Sequence, residues 1–456
     1  MQSGKVGQVK TKQLRLILVA FVSFMLSAGL IIGKASAADD DDEKKYADVK
    51  TVKRHAVGKA CAKRLEGVQE VLGAETEPTA KQFSDLAKQL PGYMSKDCSS
   101  SYEKSNVYNM LGFVYYSLED YNRAIDAYQK MLNEPEVDPK QALSTRYTVA
   151  QLYMLMENYQ AAVRELERWM KESPIIGDVA KILLAQGYYQ IDRKDDALRV
   201  VNEVVSGAEA KGELPKESWW GLQRVLYYEK EDYKKVVEIL KKMVTHYPSI
   251  SYWKQLGGMY AQLEQDMNQL VSTEIVYLQN GLDKESQLLG LAYLYLGAGA
   301  PYRAALYIEK GMKSGLIERN GKNLELLGSA WQQAQSFENA AKALEEAAKK
   351  SGKGEIYARL AGVYLDQNRD EDSVRAAKNA INKGGLKRPE ITYLTLGSAN
   401  VNLHCYKDAV TAFREAAKTE KVKKAANQWI AYATAEGERR NKLISAGAKI
   451  SGCKSV

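Results

Sequence analysis

The chain has 456 residues, 45% of them hydrophobic and 27% charged, a balance that excludes a disordered protein. Its formal charge is +8, but Lys5, Lys10, Lys12, Arg15 and Lys34 fall in residues 1–37 with no acid among them, which leaves +3 for the remainder. That surplus is too small to imply a nucleic-acid partner, which calls for a clustered basic face. Prolines number only 9, which suits long helices. Tyrosine is in excess, 29 against 6 phenylalanines.

The first element is an export signal. Lys5, Lys10, Lys12 and Arg15 precede an apolar run from Leu16 to Ile32, and Ala35, Ser36 and Ala37 supply the small-x-small pattern of a signal-peptidase site. Cleavage is expected before Ala38, giving a signal peptide over 1–37. The alternative is an uncleaved inner-membrane anchor, since the run is near the lower limit for a span. Asp39 to Asp42 then give an acidic, solvated start. No second apolar run of spanning length follows, so the body is expected beyond the inner membrane, in the periplasm.

Residues 38–104 read as this acidic start and a helical cap, with helix-like stretches around Ala47–Leu72 and Lys81–Leu90 and no repeat motif. From about 105 to 420 a period near 34 to 38 residues dominates. Its clearest unit holds Trp253, Leu256, Gly257 and Tyr260, the W-x2-L-G-x2-Y pattern of tetratricopeptide repeats. A small residue at the eighth position sets the register at Gly112, Ala150, Ala185, Gly257, Ala292, Gly328, Ala361 and Gly397, with Arg224 the exception among nine units. Gly or Ala there, and Ala at position twenty, let the two helices of a unit approach closely, while a Tyr or Trp at position eleven fills the space beside them. One such pair cannot bury its apolar face, so units stack on a shared core. The expected fold is therefore all-α, a tetratricopeptide-repeat solenoid: a right-handed superhelix of antiparallel helix pairs. In the fifth unit Gln269 and Thr273 replace Ala and a larger apolar residue, so its second helix is expected to pack less tightly. Gly297, Gly299 and Pro301 mark a turn inside the sixth unit. Residues 421–456, with Val422, Ala426, Trp429 and Ala433, read as a last capping helix and a basic tail.

Four cysteines, an even count, favour disulfides in an oxidising compartment. Cys61–Cys98 and Cys405–Cys453 are the preferred pairing of three, because a solenoid keeps its ends apart. No metal site is expected: there is no Cys-x-x-Cys, and His55, His246 and His404 are scattered, with His404 marking a turn between helices. No cofactor is expected either. The sequence lacks a phosphate-binding Gly-Lys-Ser/Thr loop, a His-Glu-x-x-His helix and a Gly-x-Ser-x-Gly elbow. Carboxylates sit beside cations at helical spacing, as in Glu238 with Lys242 and Glu345 with Lys349, which reads as solvated helix faces. The expectation is a binding protein rather than an enzyme, without a small-molecule substrate. Partner contacts are expected on the concave face, from positions two, five, nine and twelve of each first helix: Asn109, Tyr116, Tyr147, Tyr189, Tyr228 and Tyr293. A phenol joins a large apolar ring to a hydrogen-bonding hydroxyl, which suits peptide capture.

The run from about Ser218 to Arg440 resembles periplasmic tetratricopeptide proteins encoded beside ExbB, ExbD and TonB and regarded as components of a TonB system. The segments that carry this are Trp219-Trp220, Tyr227-Tyr228-Glu229, Asp232-Tyr233-Lys234, Trp253 to Gly257, Pro301-Tyr302-Arg303-Ala304-Ala305, Gly311-Met312-Lys313, Gly315-Leu316-Ile317 and Asn323-Leu324. Residues 101–217 match as generic repeats. The resemblance implies a scaffold for energised uptake of iron chelates and similar nutrients across the outer membrane, with TonB, ExbB, ExbD or a TonB-dependent receptor as partner. Its motif is structural, so it implies no binding residues. The alternative is a scaffold for outer-membrane assembly or polysaccharide export.

Overall fold

The computed structural model describes residues 55–74, 76, 78–450 and 453. The expected signal peptide, the acidic start and the first part of the Ala47–Leu72 stretch lie outside these residues. The described chain is all-α, an array of tetratricopeptide-type helix pairs, and it divides into two compact units, one ending at Asp232 and one running from Tyr233.

The first unit opens with α1 (Lys59–Leu72) and α2 (Ala80–Lys96), followed by the pairs α3 (Ser101–Ser117)/α4 (Tyr121–Leu132), α5 (Pro139–Leu155)/α6 (Tyr159–Glu172) and α7 (Asp178–Gln190)/α8 (Lys194–Ala210), and ends with α9 (Glu217–Glu229). Within it each helix packs on the next. The cap is continuous with the first repeat: Leu65 and Val68 of α1, Phe83, Leu86 and Leu90 of α2 and Val107, Met110 and Leu111 of α3 share one apolar cluster. The Cys61–Cys98 disulfide lies inside that cluster, both sulfur-bearing residues being fully buried. The buried carboxylate of Glu103 accepts from the backbone N–H of Gly58 at 2.7 Å, at the start of α1, and from that of Ser100 at 3.0 Å, in the capping box of α3. Burial pushes its pKa up, but these backbone donors outweigh burial and hold it below the usual value. Helix α2 runs past Pro91, where a stop is expected, to Lys96. Two backbone bonds to the Tyr93 carbonyl, from Asp97 and Cys98, close its end beside the disulfide.

The second unit opens with α10 (Tyr233–His246), continues through the pairs α11 (Ile250–Gln262)/α12 (Asp266–Leu278), α13 (Glu285–Gly297)/α14 (Pro301–Lys313), α15 (Gly321–Gln333)/α16 (Phe337–Ser351), α17 (Gly354–Asp366)/α18 (Asp370–Lys383) and α19 (Pro389–Asn402)/α20 (Tyr406–Ala417), and ends on α21 (Glu420–Ser445). Ala426 and Ala433 bury one side of α21, and Ala433 packs with Ala409 and Phe413 of α20. The Cys405–Cys453 disulfide ties the chain after α21 back to the turn before α20.

One turn recurs between the two helices of every pair. The residue before the second helix's N-cap adopts a left-handed conformation at Glu119, Glu157, Asp192, Glu231, Glu264, Gly299, Gln335, Asn368 and His404. Gly is the residue type with no steric cost there, yet only the sixth turn uses it. What holds the others is a pair of backbone bonds of the Schellman kind. In the first repeat the Glu119 N–H donates to the Tyr116 carbonyl and the Asp120 N–H to the Tyr115 carbonyl, each at 2.9 Å. The second acceptor is the position-eleven residue in every repeat: Tyr115, Tyr153, Tyr188, Tyr227, Tyr260, Tyr295, Trp331, Tyr364 and, in the last, Asn400. The residue after the left-handed one then starts the next helix, with Asp120 and Asn158 capping it through their side chains.

Candidate partner-binding surfaces

The small eighth position decides how closely the paired helices approach. A Cβ on Gly112 would fall 2.5 Å from the Tyr128 ring, on Gly328 2.6 Å from Leu344, and on Gly397 2.4 Å from the Phe413 ring. Where the eighth residue is Ala, as at Ala150, Ala185, Ala292 and Ala361, its methyl group is itself fully buried. This close packing leaves the outer rows of the helices as the surface on which a partner could sit.

The six residues expected on the concave face are placed differently from one another. Tyr228 and Tyr293 are 49% and 52% exposed, large rings open to solvent. Asn109, Tyr116 and Tyr189 are half-buried. The Tyr116 ring lies 5.9 Å from that of Tyr121, and burial, Tyr121 and Glu119 together push its pKa up. Tyr189 donates to Glu229 at 2.7 Å across to α9, and burial and that carboxylate push its pKa up to about 12. Tyr147 is 3% exposed with its ring 4.8 Å from that of Trp169, so it belongs to the core between α5 and α6.

A second set of polar contacts escaped the sequence reading. The hydroxyl of the position-eleven tyrosine reaches the second helix of the preceding repeat. Gln129 donates to Tyr153 at 2.9 Å, Tyr188 donates to Glu167 at 2.8 Å, Asn202 donates to Tyr227 at 2.9 Å, and Tyr364 donates to Glu345. An arginine at the following N-cap covers the ring: Arg193 lies 4.1 Å from the Tyr188 centroid and Arg369 lies 4.3 Å from that of Tyr364. Arg193 also pairs with Glu167 at 2.9 Å. In the sixth repeat Tyr307 donates to Glu274 at 3.0 Å while its ring stacks on Tyr295. Glu345 thus serves the next repeat rather than Lys349, and Glu238 pairs with Lys235 at 2.7 Å. Part of the signal was present in the sequence as Gln129 and Glu345, each one residue after the side chain that faces position eight, Tyr128 and Leu344.

The fifth repeat is loosely packed on its second helix. Only Leu270, Ser272 and Val276 of α12 are buried. Gly257 has room where its counterparts have none, its nearest neighbour being the Ser272 Cβ at 3.5 Å. A cavity of about 380 Å³ opens here, lined by Lys241, Val244, Thr245, Trp253, Leu256, Tyr260, Asn268, Val271 and Ser272. Met267, Val271 and Leu278 stand more than half exposed or nearly so along the outer side of the same helix.

Among the described residues, Cys405, Asp408 and Cys453 are the group that could approach a metal, within 4.8 Å of one another. The two sulfurs are bonded to each other, and a disulfide offers no thiolate. No described helix is long and apolar enough to cross a membrane.

No family model matches the chain, and no curated protein does. Among solved structures, the MamA protein is 19% identical and matches 39% of this chain and 94% of its own, with a TM-score of 0.33. A tetratricopeptide repeat protein from Parabacteroides merdae is 15% identical over 68% of this chain and 100% of its own, with a TM-score of 0.32. YrrB, described as a TPR protein with an unusual peptide-binding site, is 14% identical over 41% of this chain and 90% of its own, also at 0.32. At these scores the likenesses carry no conclusion about what this chain binds.

Proposed function

We propose that the protein is a non-catalytic interaction scaffold of the periplasm, an accessory component of a TonB-type system that energises uptake of iron chelates or similar nutrients across the outer membrane. What supports the scaffold reading is that the Tyr228 and Tyr293 rings, at positions expected to face the groove, are 49% and 52% exposed. Exposed Tyr rings on a rigid helix supply apolar area and a hydrogen bond at little entropic cost. Two disulfides suit an oxidising compartment, which supports export. The TonB assignment is supported by the sequence resemblance over 218–440.

Photoreactive residues placed at Tyr228 and Tyr293, with Tyr147 as a buried control, test this in cells. Adducts at the first two positions and none at Tyr147, with TonB, ExbB, ExbD or a TonB-dependent receptor, are the expected result. Adducts confined to outer-membrane assembly or glycan-export proteins would move the protein to that alternative. Photoreactive Val271 would show whether the cavity beside α12 takes part.

A further inference from the structure

The charge of this chain is unevenly spread. Residues 38–419 hold 52 Lys and Arg against 54 Asp and Glu, whereas residues 420–456 hold 8 against 3. The whole positive surplus of the chain after residue 37 therefore sits on α21 and the tail behind it. Two of the three acids are already engaged, Glu420 with Lys423 at 3.0 Å and Glu436 with Arg439 at 2.9 Å. Lys421, Lys424, Lys442 and Lys449 make no ion pair among the described residues.

The geometry of α21 puts these cations beside apolar rings. The helix buries Ala426 and Ala433, seven apart, and sets Gly437 against Tyr406. At 3.6 residues per turn the side away from these residues carries Lys421, Tyr432, Arg439 and Leu443, flanked by Lys424 and Lys442, while Trp429 stacks on Phe413 at 5.7 Å nearer the buried side. Trp429, Tyr432, Leu443 and Ile444 are 43%, 49%, 41% and 46% exposed. Residues 441–449 are all exposed, so the end of the helix projects from the repeat it caps. Each earlier first helix of the second unit is covered by a second helix of its own, and among the described residues no helix follows α21.

We infer that this face of α21 docks on an anionic lipid surface. Lysines and an arginine interleaved with Tyr432 and Leu443 along one helix are the pattern that lies in the headgroup layer, cations toward the phosphates and the apolar side chains toward the acyl boundary. A nucleic acid would use the cations but leave Tyr432 and Leu443 in water. An acidic peptide would meet a convex rod and would have to bring its own groove.

The test uses the protein as purified after export, with both disulfides formed, and vesicles of phosphatidylcholine with or without about 30% phosphatidylglycerol. Binding only to the anionic vesicles, weakened by added salt, is expected. The triple variant K421E/K424E/K442E, whose changed side chains are all exposed, should lose on the order of a hundredfold in partitioning while keeping its helical circular dichroism. The double variant Y432S/L443S, at exposed positions, should weaken the binding that persists at high salt. Equal binding to neutral vesicles, or binding untouched by the triple variant, would overturn the inference. So would tighter retention on polyglutamate or on duplex DNA than on the anionic vesicles at the same salt.

Discussion

At the eighth position of the repeats, three glycines are required by contact rather than by backbone angle. Gly112, Gly328 and Gly397 sit mid-helix with ordinary φ, where Gly costs about 1 kcal/mol relative to Ala, and they persist because a facing side chain occupies the space of a Cβ. At Gly397 that side chain is Phe413, fully buried and stacked on Trp429 at 5.7 Å, so it has nowhere to move. Gly397→Ala is expected to lower unfolding stability by about 1–3 kcal/mol, the usual range for overpacking. Gly257→Ala, 3.5 Å from its nearest neighbour, should be neutral or stabilising by up to about 1 kcal/mol. Urea unfolding of the two variants separates the cases, and equal destabilisation would show that the fifth repeat is as tight as the last. That glycine or alanine marks the eighth position was legible in the sequence. Which of those glycines is crowded was not, because crowding depends on the partner helix.

Between elements, the tyrosine excess finds its reason. A Phe at position eleven could fill the same space, but only a phenol can bond the preceding repeat. Burial, and then the carboxylate of Glu167, push the Tyr188 pKa up to about 12. The folded state therefore keeps this proton more tightly than the unfolded chain, where a tyrosine loses it near pH 10.0. The resulting stability is complete below pH 10 and is lost as pH rises through about 12. Tyr188→Phe should cost about 1 kcal/mol at pH 8 and should remove part of this alkaline loss. Urea midpoints from pH 8 to 11.5 for both proteins check it, and parallel curves would mean that the Tyr188–Glu167 bond adds nothing. The repeats and their helix pairs could be read along the chain. The inter-repeat bonds could not, since their partners lie 19 to 25 residues apart on helices whose rotation the sequence leaves open.

At the scale of the whole molecule the two disulfides are not equivalent. Cys61 and Cys98 are fully buried in an apolar cluster, whereas Cys405 is 3% exposed and Cys453 lies open. A thiolate reductant must reach a sulfur in line, so Cys405–Cys453 should open first under mild dithiothreitol, freeing the tail behind α21. Timed alkylation with mass spectrometry reads the order, and simultaneous opening would contradict it. Breaking Cys61–Cys98, which closes a separation of 37 residues, should then cost about 2–5 kcal/mol in the first unit. Local pattern by itself determined the all-α class, the repeat register and the turn at His404, because these follow from spacing along one helix; it favoured the cysteine pairing at each end, which the structure shows. Tertiary structure alone decided that Tyr147 is core while Tyr228 and Tyr293 are about half exposed, that α12 leaves a cavity, and that Tyr432 and Leu443 of α21 stand exposed among its cations. Each of those depends on how a helix is rotated against its neighbours, a choice set by side-chain packing across repeats.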